Sequence, residues 1–127
     1  PDCIVTATNE VYITLEALEA DTAHEIAFNQ ILIPGTDSVF YAGDTTSSLT
    51  LRINPGTSQT TFRFFYEDTE FDSLVVSYSR QTKMISPKCG AFNYFQDLAV
   101  VSSSFHEVIV KNPQLISGGT TNITIKL

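Results

Sequence analysis

The stretch TFRFFYEDTEFDSLVVSYSR, residues 61–80, contains the clearest structural pattern in the chain. Apolar side chains recur at every second position on both sides of the acidic segment at 67–70. That spacing is the period of a β-strand with one buried face. The two runs therefore predict a β-hairpin whose inner faces are aromatic and branched. The inward positions would be Phe62, Phe64, Tyr66, Leu74, Val76 and Tyr78.

The same alternation recurs along the chain, with Pro and Gly turn signals between the runs. β-bulges are expected near residues 29–30 and 96–97, where the alternation changes phase. Residues 14–28 would also suit a helix, but the β-branched residues around them favour strands. We expect one all-β domain over residues 1–127, an antiparallel β-sandwich of about eight to ten strands, immunoglobulin-like in general architecture. A closed β-barrel is the alternative.

The chain of 127 residues carries a formal net charge of −7 and has a sequence pI of about 4.5. Nucleic acid is therefore an unfavourable partner, because phosphate binding needs clustered Lys and Arg. Anionic membrane surfaces are disfavoured for the same reason. The aliphatic runs, such as the one at 31–33, are far too short to span a bilayer. Nothing in the composition indicates a cofactor.

The only two cysteines, Cys3 and Cys89, permit one disulfide and no zinc site of the four-cysteine type. Both lie in polar segments, which favours a disulfide over two buried thiols. Closing a loop of this length would contribute about 4 to 5 kcal/mol to stability. A chain that begins Pro1-Asp2-Cys3 is also expected to be a processed or trimmed extracytoplasmic domain.

Four acidic residues could offer hard oxygen ligands to Ca²⁺, and they form the weak metal candidate of this chain. Their spacing differs from the calcium loop of a helical hand, and a solvated hairpin tip explains them more simply. These residues are Glu67, Asp68, Glu70 and Asp72.

His24 and His106 are candidates for proton transfer, but both are better explained as outward-facing strand residues. Ser102–Ser104 precede His106, so a serine triad assembled in space stays open, although no G-x-S-x-G motif is present. Tyr12 and Phe65, on the polar side of their strands, could stack against sugars.

Several segments resemble a family of small uncharacterised lipoproteins from Bacteroidetes. They are FDSLVVSYSR at 71–80, ISPKCG at 85–90, YFQDLAVVSSSFHEVIVKNP at 94–113 and NITIKL at 122–127. Family members combine Asp-Ser/Thr-Leu with Tyr-Ser-Arg and Ser-Pro-x-Cys-Gly. The resemblance covers the C-terminal half well and extends to the N-terminal half only in strand pattern and the early cysteine.

The resemblance implies an extracytoplasmic protein, a periplasmic or outer-membrane lipoprotein, with a mostly β fold and no known cofactor. Cys3 would be the second cysteine of the pattern, and a lipid anchor would lie before Pro1 and provide the membrane attachment. No catalytic residue can be transferred, because the family carries no established activity.

The function expected is therefore a non-enzymatic accessory or protein-binding module of the cell envelope. A carbohydrate-binding module is the alternative, and a hydrolase is less favoured. The partner would be a protein or a glycan of the envelope. The tentative binding residues are expected to cluster around one strand end and the cysteine, and they are Tyr78, Arg80, Pro87 and Gly90.

Overall fold

The computed structural model describes residues 6–20, 22–36, 39–41, 45–67 and 69–127, and it places eleven strands among them. They are β1 (Glu10–Glu16), β2 (Ile26–Ala27), β3 (Gln30–Leu32), β4 (Val39–Tyr41), β5 (Thr45–Thr46), β6 (Ser48–Arg52), β7 (Gln59–Phe65), β8 (Phe71–Ser86), β9 (Gly90–Ser103), β10 (Glu107–Val110) and β11 (Ile123–Lys126). The described residues contain no helix, so the predicted all-β class is confirmed and the helix considered for 14–28 is wrong.

The strands form a four-stranded sheet in the order β10-β11-β1-β6, a five-stranded sheet in the order β4-β3-β7-β8-β9, and a short β2-β5 pair. None of these sheets closes into a barrel. The architecture agrees with the predicted β-sandwich. One difference is that β1 and β11 pair in parallel, so the sandwich is not purely antiparallel.

The core lies between the inner faces of the two large sheets. In β1 every second residue is buried, with Val11, Ile13 and Leu15 at most 1% exposed. Burial of such branched side chains supplies most of the stability of a sandwich, at roughly 25 cal/mol per Å² of apolar surface. The central strand β11 is buried at all four positions. Its Lys126 ammonium donates to Glu16 Oε1 at 2.9 Å and to the Ala20 carbonyl at 3.0 Å.

The hairpin predicted from residues 61–80 is confirmed as β7 and β8. Phe62 lies opposite Leu74, and Thr60 lies opposite Val76. The antiparallel ladder runs from the first residue of β7, opposite Ser77, to its last residue, opposite Phe71. Phe62, Phe64, Leu74 and Val76 are fully buried. The inner face is thus aromatic and branched, as the alternation indicates.

Of the two predicted bulges, one is confirmed. The β8–β9 register shifts between Ser77 and Ser79, and Asp97 has φ of 58°. Near residues 29–30 the prediction is wrong, because the chain changes sheets there. Ile26–Ala27 pair with β5, whereas β3 joins the five-stranded sheet. Two short strands in separate sheets produce the same change of phase as a bulge.

Candidate functional site

The most distinctive surface feature is the outer part of the β8–β9 hairpin, residues 79–94, which we call the arm. The strand β7 begins at Gln59, opposite Ser77, so in the described part of the chain β8 has only β9 as a strand partner from Tyr78 onward. Arg80 through Met84 are all exposed, and Met84 is 67% exposed. At about 3.4 Å per residue, β8 continues roughly 20 Å past Arg80.

Local interactions explain why the arm forms a regular ribbon. Its tight turn ends at Gly90, whose φ of +81° favours glycine. The Ser86 hydroxyl accepts a hydrogen bond from the Cys89 N–H at 3.0 Å. Thr82 Oγ1 donates across the ribbon to Asn93 Oδ1 at 2.7 Å, and the Lys83 ammonium lies 5.1 Å from the Tyr94 ring centroid. These cross-strand pairs stabilise the ribbon without a buried core.

The four predicted binding residues do not form one site. Tyr78 and Arg80 lie in the middle of β8, whereas Pro87 and Gly90 lie at the tip of the arm. About six residues of extended strand separate the two pairs, which corresponds to roughly 20 Å. The expectation of a single cluster is therefore wrong, because residues a few positions apart in an extended strand lie far apart in space.

Tyr78 is a buried residue that stabilises the fold. Its side chain is 6% exposed and packs edge-to-face on Phe95 at a centroid distance of 5.8 Å. Its hydroxyl donates to the Asn54 carbonyl at 2.6 Å and lies 2.7 Å from the hydroxyl of Thr60. Tyr78 thus holds the turn before β7 against β8 and is not available to a ligand.

Arg80 is the predicted residue best placed for binding. Its guanidinium makes a long hydrogen bond of 3.4 Å to the Pro55 carbonyl. It also lines a shallow cavity of about 390 Å³ between the 55–58 turn and the start of the arm. Arg80 is exposed, so most of its five donors stay accessible to a partner.

The proposed acidic metal ligands do not converge in the described structure. Asp68 lies outside the described residues, and Glu67 and Glu70 are exposed at the β7–β8 connection. Asp72 instead accepts hydrogen bonds from Tyr66 at 2.5 Å and from the Ser104 hydroxyl at 2.7 Å. Among the described residues, no three His, Cys, Asp or Glu side chains are grouped as metal ligands.

Burial and the Asp72 contact raise the pKa of Tyr66 above its ordinary range. Burial is the larger cause, because it disfavours the charged phenolate, and the neighbouring carboxylate adds to it. Tyr66 therefore stays protonated and donates to Asp72 at neutral pH. This pair closes one edge of the sandwich, where Tyr66 also packs on the buried Phe28 at a centroid distance of 5.4 Å.

The structure does bring a serine, a histidine and an aspartate together. Ser104, His106 and Asp72 line one cavity of about 330 Å³. However, the Ser104 hydroxyl donates its proton to Asp72 and accepts a hydrogen bond from the Ser73 N–H at 2.8 Å. In a triad that proton would be directed to the imidazole. Ser104 is thus positioned as a link between the ends of β8 and β9.

Sequence reasoning did not find the pairing of Asp72 with Ser104. The two residues are 32 positions apart and meet only because β8 and β9 are antiparallel. No local motif signals such a contact. His24 lies in an exposed loop, where its N–H donates to the Leu15 carbonyl, and it does not line the cavity that contains His106.

The two aromatic residues considered for sugar stacking lie on different sheets. Tyr12 belongs to β1, and its hydroxyl accepts a hydrogen bond from the Gly118 N–H at 3.1 Å. Phe65 belongs to β7 and packs on Phe71 at 5.0 Å, with Arg63 lying over the Phe71 ring. These side chains therefore do not form one aromatic row.

The predicted disulfide involves Cys3, which lies outside the described residues, so the pairing with Cys89 stays a prediction. Cys89 itself is in the turn of the arm. No helix suited to crossing a bilayer occurs in the part of the chain that the structure describes.

A family of unknown function, DUF6452, matches the chain over residues 26–127, and the protein belongs to that family. Comparison with curated proteins found no significant match. Comparison with solved structures found none either.

Proposed function

We propose that this member of DUF6452 is a non-enzymatic protein-binding module of the cell envelope, and that the arm is its contact surface. The observation that carries the proposal is the length and exposure of the arm. No residue from 79 to 94 belongs to the buried core, although 16 residues of β8 and 14 of β9 build the hairpin. A two-stranded ribbon gains little stability alone. Contact with another molecule would explain its length.

The charge of the arm also supports a binding role. Residues 73–96 contain three of the seven basic residues, Arg80, Lys83 and Lys88, and none of the 14 acidic residues. The remaining four basic and 14 acidic residues give the rest of the chain a formal charge of −10. A basic projection on an acidic body favours an oriented encounter with an acidic partner surface.

Two observations support binding over catalysis or sugar recognition. The Ser104 hydroxyl donates to Asp72, so among the described residues that line this cavity the serine is not activated by His106. The aromatic residues considered for glycan stacking are divided between two sheets. Among the described surfaces, the arm therefore has the length, exposure and charge that best suit a binding surface.

Site-specific photocrosslinking in cells of the source organism tests this proposal. A benzoylphenylalanine at position 84 is expected to form a discrete adduct with a protein other than this chain, identified by mass spectrometry. Position 101 is the matched control, because Val101 is 51% exposed and lies at the far end of the same hairpin. No adduct at position 84, or the same adducts at both positions, would contradict an arm-specific role.

The envelope location rests on the resemblance of the Tyr-Ser-Arg and Ser-Pro-x-Cys-Gly segments to envelope lipoproteins, and on the presence of two cysteines that could pair. Fractionation of the same cells is expected to place the native protein with the envelope membranes through an N-terminal lipid anchor. Recovery in the cytosol would contradict this part of the proposal.

A further inference from the structure

The edge of β8 along the arm has a row of backbone groups without a strand partner among the described residues. The Tyr78 N–H donates to the Ser58 carbonyl, so Tyr78 faces the β7 side of the ladder. Backbone groups of a strand alternate between its two sides. The backbone groups of Arg80, Thr82 and Met84 therefore face the same side as those of Tyr78, past Gln59, the first residue of β7.

A second hydrogen bond confirms this orientation independently. Phe95 lies opposite Arg80, and its carbonyl accepts from the Leu115 N–H on the outer side of β9. In an antiparallel ladder, opposite residues either bond each other or both face outward. Arg80 and Phe95 are thus an outward-facing pair. Thr82 and Met84, two and four positions further along β8, therefore face outward in the same way.

The two edges of the arm differ in what lies beside them. At the base of the arm, just past residue 94, the 113–115 segment bonds to Phe95 and Leu98 of β9. Thr6 lines a small cleft on this side together with Lys83 and Tyr94. Along β8, the neighbour is the 55–58 turn, and beyond Arg80 no strand that the structure describes pairs with this edge. An exposed strand edge of this kind is a template for strand addition.

We infer that the β8 edge from Arg80 to Met84 binds an extended, acidic segment of another protein as an added β-strand. The inference rests on the proposed function and names the chemistry of its partner. The segment carries an acidic residue opposite Arg80 and an apolar residue opposite Met84, four positions apart on one face. It continues the line of β7 and begins beside the 390 Å³ cavity that Arg80 lines.

Charge decides between this partner and a second copy of the chain. Two β8 edges paired with each other would bring two basic segments together, each containing Arg80 and Lys83 and no acid between 73 and 96. Two segments that each carry only positive charges repel each other. An acidic segment instead matches both the backbone ladder and the charge of this edge.

A designed peptide tests the inference on the isotopically labelled chain. The probe is the capped peptide Thr-Val-Thr-Thr-Thr-Glu-Thr, and the matched control replaces its Glu by Lys. On titration followed by NMR, the amides of Arg80, Thr82 and Met84 are expected to gain at least tenfold protection from hydrogen exchange. The amides of Gln81 and Lys83, which already face β9, are expected to change less than twofold.

Two variants separate the backbone and charge contributions. Met84→Pro removes one edge N–H, and an edge strand tolerates Pro at such a position. The Met84→Pro variant is expected to lose the peptide-induced protection of the Arg80 and Thr82 amides, whereas Met84→Ala is expected to keep it. Arg80→Glu is expected to bind the Glu peptide at least tenfold more weakly and to prefer the Lys peptide, which keeps the test valid if the proline variant misfolds.

Three results would overturn the inference: equal protection at odd and even positions, no protection by the Glu peptide, or dimerisation of the chain through this edge in light scattering. A photocrosslink from position 84 together with any of these results would leave the arm as the contact surface and reject strand addition. The two failures are thus distinguishable.

Discussion

Replacing Tyr78 by Phe tests whether this residue stabilises the fold, as its buried position indicates, or binds a ligand. The single hydroxyl proton of Tyr78 is donated to the Asn54 carbonyl at 2.6 Å. The contact of 2.7 Å with Thr60 must therefore use the proton of the Thr60 hydroxyl. Thr60 Oγ1 in turn accepts from the Asn54 N–H at 2.8 Å. The three residues form one closed set of hydrogen bonds.

The Phe substitution keeps the ring and its contact with Phe95 but removes the acceptor for the Thr60 proton. Thr60 is 3% exposed, so water does not replace that acceptor. Leaving one buried polar group unsatisfied costs about 1–3 kcal/mol. Asn54 is exposed, and its carbonyl also accepts from the Thr57 N–H at 3.4 Å, so losing the Tyr78 hydroxyl as a donor adds little to the cost. For 127 residues, each kcal/mol corresponds to about 4 °C in Tm.

Urea unfolding of the wild type and of Tyr78→Phe measures this cost. We expect a lower midpoint with an unchanged slope, because the surface exposed on unfolding stays the same. The matched control is Tyr94→Phe, a change on the arm outside the buried core, which is expected to cost less than 0.5 kcal/mol. Combining Tyr78→Phe with Thr60→Val is expected to cost less than the sum of the two, because both partners are then apolar.

Equal stability of the two tyrosine variants would refute the hydrogen-bond argument. A Tyr78→Phe protein that keeps its stability but loses the crosslink from position 84 would show that Tyr78 contributes to binding.

Three further outcomes are expected. Because the folded state raises the pKa of Tyr66, the stability it contributes is present below about pH 10 and lost as the pH rises above it; urea unfolding between pH 10 and 12 should therefore show a shallower loss for Tyr66→Phe than for the wild type. Gly90→Ala should cost about 1–2 kcal/mol in thermal unfolding, since φ is +81°, whereas Gly56→Ala, without positive φ, should be near neutral. Mass spectrometry of the unreduced chain should show the Cys3–Cys89 bond, and reduction should remove about 4–5 kcal/mol of stability; two alkylated thiols in the unreduced chain would contradict it.

Much of the fold could be predicted from local patterns. The alternation at 61–80 identified the β7–β8 hairpin, and the phase change at Gln96-Asp97 identified a bulge that the structure confirms. Both features depend on side chains within a few positions of each other. The prediction failed near residues 29–30, because a bulge and a change of sheet leave the same local signature.

The candidate site was less predictable. Arg80 as a binding residue stays a prediction, but its grouping with Pro87 and Gly90 was wrong, since β8 extends between them. The link from Ser104 to Asp72 and the cavity beside it had no sequence signal, because antiparallel pairing joins residues 32 positions apart.

The all-β class, the buried face of the β7–β8 hairpin and the acidic charge of the chain could be predicted from local sequence, because they depend on a period of two and on composition. Which strands are neighbours could not be predicted in this way. The parallel pairing of β1 with β11, and the start of β7 opposite Ser77, depend on long-range contacts. Because β7 begins there, no described strand lies beside the outward-facing N–H groups of Arg80, Thr82 and Met84.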